Sequence, residues 1–163
     1  MQQNRERAIL ADMNSQVGNN SEGAVSSSES ERPFRLLTIF DSAEANAEAA
    51  SASQLVLREL GEDVAVDKNA WDVRLLDSPV LRQRAAEQAA SADVIVLALS
   101  AREPSDPLRQ WLEAWQKNRE IEGGLLALIP EGEAECNSSL AEFVSEAAIT
   151  AHMDFLCRKQ PRF

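Results

Sequence analysis

Two apolar runs in the chain end in polar residues able to do chemistry. FRLLTIF stops at Asp41 and Ser42, and DVIVLAL at Ser100, with Arg102, Glu103 and Ser105 close behind. A carboxylate can hold a cation or orient a substrate, and a guanidinium can grip a carboxylate or phosphate through two parallel hydrogen bonds. Ser100 and Ser105 could be nucleophiles, but serine catalysis of the triad kind needs an imidazole base, and the one histidine, His152, lies far from both in sequence. Cys136 and Cys157 form no Cys-x-x-Cys pattern, and with His152 they lack the ligand number and spacing of a zinc site. No catalytic residue and no metal ligand set is therefore assigned. Asp41, Ser42, Ser100 and Arg102 are the candidates for a ligand-binding edge.

Each candidate also has a structural reading. Asp41 and Glu44 make the Asp-x-x-Glu spacing of a capping box at a helix start. Arg102 and Glu103 can pair with each other at the surface. His152 fits a helix C-terminus, its side chain meeting free carbonyls. Trp111 and Trp115 belong to one amphipathic stretch; one is expected to pack on the sheet, and an exposed one would anchor a protein partner.

Composition narrows the function classes. A chain of 163 residues with 44% hydrophobic and 26% charged residues suits a single sizeable core. A formal net charge of -11 argues against nucleic acid, whose phosphates call for clustered Lys and Arg. Anionic membrane surfaces are disfavoured in the same way, and no apolar run has the roughly 20 residues of a membrane span. The start, MQQNRERAILADMNSQ, has no apolar core of signal-peptide length. The two cysteines read as reduced thiols in a cytoplasmic protein. Residues 1–32, rich in Ser, Asn, Glu and Gly, read as a disordered polar tail with a short helical stretch around residues 5–13. Residues 33–163 read as one domain.

The elements that must position the candidates follow from periodicity. Strands are expected at Phe34–Phe40, 71–77, 93–99, 124–130 and 153–158. The first helix carries Ala45, Ala49, Ala52, Val56 and Leu60 at helical spacing and ends at Gly61. The second starts on Ser78 and Pro79 and buries Leu81, Ala85, Ala89 and Ala92. The third presents Leu108, Trp111, Leu112 and Trp115 as an i, i+3, i+4, i+7 stripe. The fourth begins at Ser139, with Glu142 completing a capping box, and buries Leu140, Phe143, Val144, Ala147 and Ala151. Strands alternating with helices imply a parallel sheet with helices on both faces. Five strands in this length imply a flavodoxin-like three-layer α/β sandwich of order 2-1-3-4-5. Ligands in such sheets sit where the order reverses, between Asp41/Ser42 and Ser100/Arg102.

On these residues, ADVIVLALSAREPSDPLRQWLEAW resembles the corresponding segment of flavodoxin-like NADPH-dependent FMN reductases, over about a sixth of the chain. That resemblance implies FMN packed by residues 101–107. The aromatic residue and the Asn usual in that loop are absent, and the first loop, FDSAEANAEA, holds no glycine and carries Asp41, Glu44 and Glu48. A phosphate there would meet like charge, and neither dinucleotide-binding nor P-loop patterns occur. The strand order also resembles response-regulator receiver domains. Those need paired acidic residues after strand one and a phosphoacceptor Asp after strand three, where this chain has Asp41 followed by Ser42, and Ser100. The expectation is a pseudo-receiver-like, non-catalytic interaction or regulatory module without cofactor and with a protein partner. The alternative is a diverged flavin-dependent oxidoreductase or flavin carrier using FMN.

Overall fold

A computed structural model of the protein describes residues 32–101, 103–129 and 139–159. The chain divides into two units, Met1–Pro33 and Phe34–Phe163, and the second carries every element named below. The tail expected over residues 1–32 lies outside the described residues except for Arg32.

Five strands form one parallel sheet of order β2-β1-β3-β4-β5: β1 Phe34–Phe40, β2 Val66–Asp72, β3 Val94–Ala98, β4 Gly123–Ile129 and β5 Met153–Lys159. The helices are α1 Ala43–Leu60, α2 Pro79–Ser91, α3 Asp106–Trp115 and α4 Ser139–Thr150. This is the flavodoxin-like three-layer sandwich that the alternation of elements implies. β3 lies at the centre of the order, and four of its five residues are buried, as expected of a parallel strand with both faces covered.

The two faces are packed unequally. Leu37, Ile39, Ile95, Leu97, Leu125 and Ala127 point to one side, where α2, α3 and α4 cover them. Leu36, Val96, Ala98 and Leu128 point to the other, where α1 supplies Ala45, Ala49 and Ala52. Alanines on that stripe let the helix axis approach the strands closely. Val56 and Leu60, expected to extend the stripe, are only half-buried. Gly61 ends α1 at φ 90°, ψ 173°, a region open essentially to glycine alone.

The second strand differs from expectation. Of residues 71–77 only Trp71 and Asp72 are in a strand, as the end of β2, which starts earlier, and Val73–Asp77 is a 3₁₀ turn. β2 is a sheet edge, and Asp67, Lys68 and Asp72 suit an edge strand while hiding it from a hydrophobic pattern. Val73 and Leu76, three apart, fall on one side of a turn with three residues per turn, and both are buried. Asp72 starts that turn by accepting from the Arg74 N–H at 2.9 Å, and pairs with the Arg74 guanidinium at 2.6 Å. The Arg74 hydrogen bond holds the Asp72 carboxyl below its ordinary range.

Ser78 and Pro79 start α2 as expected, with Ser78 Oγ accepting from the Leu81 N–H. Ala85, Ala89 and Ala92 are buried and Leu81 is half-buried. In α3, Leu108, Trp111, Leu112 and Trp115 are all buried. In α4, Leu140, Val144, Ala147 and Ala151 are buried. Phe143 is half-buried, with the Arg109 guanidinium of α3 5.3 Å from its ring centre. Ser139 is the first helical residue of α4, so its capping position falls at residue 138, outside the described residues.

Candidate functional site

The register positions the site. Phe40 of β1 lies beside Ala98 of β3, so Asp41 and Ser100 leave adjacent strands at the same edge. β1 has β2 on its other side, which makes this gap the point where the strand order reverses. Asp41, Ser42 and Ser100 are thus gathered where the sequence expectation put them. Arg102 lies outside the described residues, and with it the expected Arg102–Glu103 pair.

Ser42, not Asp41, caps α1. Its backbone is extended and its Oγ accepts from the Ala45 N–H at 3.0 Å. The expected Asp41–Glu44 capping box is therefore displaced by one residue: two successive N-cap formers compete, and the second takes the position. Glu44 remains in the first turn, where it complements the helix dipole.

Asp41 is thereby released to span the strand gap. Its carboxylate accepts from the Ser100 N–H at 2.9 Å to each oxygen, from Ser100 Oγ at 2.9 Å and from the Ala101 N–H at 3.1 Å. Successive backbone N–H groups at a strand end are what an anionic ligand would use. Here the chain supplies the anion itself. Ser105 is engaged as well, capping α3 by accepting from the Leu108 N–H.

Beside Asp41 a cleft of about 220 Å³ is lined by Val73, Arg74, Leu99, Leu108 and Leu140. That is below the roughly 300 Å³ at which ligand pockets begin. Two larger clefts, of about 300 and 310 Å³, lie away from this edge, one lined by Arg35, Arg84 and Glu87, the other by Thr38, Ser53 and Lys68. Size alone does not make either the site, because neither lies at the strand ends. Among the described residues no group of three or more His, Cys, Asp or Glu side chains could hold a metal ion.

The tryptophans do not offer an anchor. Trp111 and Trp115 are 0% and 1% exposed, with ring centres 5.4 Å apart. Residues four apart lie on one face of a helix, so the expectation that the two could not be equally buried fails on the geometry of the helix itself. Neither indole N–H finds a hydrogen-bond partner among the described residues. His152 also acts differently. Its backbone, at φ 61°, takes the left-handed position after α4 and its N–H donates to Ile149 O, while the residue is exposed. Cys157 is disulfide-bonded, not a reduced thiol, and Cys136 lies outside the described residues. Disulfides persist chiefly in oxidising compartments, so the cytoplasmic expectation loses the footing that reduced cysteines gave it. Among the described residues no helix is long and apolar enough to cross a membrane.

One structural cation escaped the sequence reading. Arg119 is 4% exposed, and its guanidinium donates to Ala89 O near the end of α2 and to Glu122 O. A Cβ on Gly123 would collide with that guanidinium and with the Asp93 carbonyl. A glycine opening a strand beside an upstream arginine was the signal available.

No family model matches the chain, and no curated protein matches it. Two solved structures resemble it weakly and at low identity. The Streptococcus pneumonia TIGR4 flavodoxin is 14% identical over 77% of this chain and 83% of its own, with a TM-score of 0.45. A cysteine-to-serine mutant of the flavodoxin from Pseudomonas aeruginosa is 14% identical over 77% of this chain and 84% of its own, with a TM-score of 0.44.

Proposed function

We propose that this flavodoxin-like domain is a non-catalytic interaction or regulatory module whose ligand edge is closed by its own side chain. The observation that carries this reading is the Asp41 carboxylate on the Ser100 and Ala101 N–H groups. A flavin carrier or reductase would need those donors, or the start of α1, for the phosphate of FMN. The α1 start is capped by Ser42 and followed by Glu44. Like unit charges about 4 Å apart at an effective dielectric of about 20 repel by roughly 4 kcal/mol, about three orders of magnitude in affinity. A phosphoryl-accepting receiver would need a carboxylate where Ser100 stands. A pseudo-receiver, which keeps the scaffold and answers to a protein partner, needs neither.

The test is calorimetry with FMN and with NADPH on protein prepared without cofactor, alongside its visible spectrum. The expected result is a colourless protein and no heat of binding at micromolar concentrations. Micromolar binding of FMN with a flavin spectrum would overturn the reading in favour of the diverged oxidoreductase.

A further inference from the structure

We infer that β5 is a self-association edge, through which a second copy of this chain extends the sheet by antiparallel β5–β5 pairing about a twofold axis. The inference rests on the far edge of the sheet and not on the closed site at Asp41.

β5 is the last strand of the sheet among the described residues, so no described strand pairs with its outer side. Such an edge templates pairing unless it is blunted. Its side chains alternate. Met153 is buried, and Phe155 and Cys157 are half-buried on the face covered by α2, α3 and α4. Asp154, Leu156 and Arg158 are exposed, Leu156 at 63%. They point to the face where α1 packs against Leu36, Val96 and Ala98, and no described helix covers the β5 end of it. An exposed leucine at the centre of an edge strand is left with nothing to bury it among the described residues.

The charge pattern selects the occupant. Antiparallel pairing centred on Leu156 sets Leu156 opposite Leu156 of the second copy. It also sets Asp154 opposite Arg158 of the second copy, and Arg158 opposite its Asp154. Directly opposed residues of an antiparallel pair have Cβ atoms about 4.5–5.5 Å apart, so two opposite-charge pairs flank one apolar pair on the same face. A twofold axis requires this self-complementarity: a residue that meets another must be met by it in return. The register works whichever parity of β5 turns its N–H groups outward. The other edge lacks the pattern, since β2 paired about its own centre, Asn69, would set Lys68 opposite Ala70 and Asp67 opposite Trp71.

The test is sedimentation velocity of the full chain over a concentration series at physiological salt, where the net charge of -11 is screened. Wild type should pass from monomer to dimer with rising concentration. Asp154→Arg and Arg158→Asp should each weaken the dimer about tenfold, because each turns both attractive pairs into repulsive ones. The double variant Asp154→Arg/Arg158→Asp should recover wild-type association. All these side chains are exposed, and circular dichroism of each variant checks that it is folded. Wild type that stays monomeric throughout, single variants that associate like wild type, or a double variant as weak as the singles would each overturn the inference.

Discussion

Asp41 ties the ends of two adjacent strands together. The strand register brings it within reach of Ser100, and the neighbouring Ser42 relieves it of capping α1. What remains is a carboxylate accepting two backbone N–H groups and one hydroxyl. Hydrogen bonds to a charged group are worth more than neutral ones, but these donors are exposed and water can replace the acceptor. Asp41→Ala should therefore cost about 1–2 kcal/mol in urea unfolding, with an unchanged m-value. No loss at all would mean that the carboxylate does not hold the two strand ends together. The residue-level reading found the right neighbours and the wrong partner. Spacing identifies two possible caps in Asp41-Ser42, and only the direction of the chain leaving β1 decides between them.

At the scale of elements, legibility follows burial. α3 is short, but its stripe of Leu108, Trp111, Leu112 and Trp115 is strongly periodic and wholly buried, so the buried face was readable from spacing, though not that it takes in both tryptophans. Leu112→Ala should cost about 2–5 kcal/mol, as truncation of a buried leucine does. Glu113→Ala, one residue on and exposed, should stay within about 0.5 kcal/mol. Thermal or urea unfolding of the pair checks this, and equal losses would contradict the packing of α3. β2 was misplaced because an edge strand partly buried chiefly towards its end, at Trp71, has little apolar pattern to display, while the apolar residues just after it belong to a 3₁₀ turn. Arg119 was missed for a related reason. A buried guanidinium is legible only through the carbonyls it meets, and Ala89 lies on another element, distant in sequence.

For the whole molecule, the two edges of the sheet and the two ends of its strands take different parts. The strand ends carry the chain's own anion where a ligand's would sit. One sheet edge is blunted by Asp67 and Lys68, and the other presents Asp154, Leu156 and Arg158 in a self-complementary order. The strand order and the layers were legible because they depend on the alternation of elements. The closed state of the strand ends was not, because it depends on which of two adjacent polar residues turns across the gap. The central claim is that the Ser100 and Ala101 amides are already occupied. The most direct measurement is the pair of amide resonances of Ser100 and Ala101 in heteronuclear NMR spectra. In wild-type protein, FMN added to millimolar concentration should leave both in place, whereas Asp41→Ala should move both. Saturable movement of the wild-type resonances with FMN, or resonances unmoved by Asp41→Ala, would contradict the account.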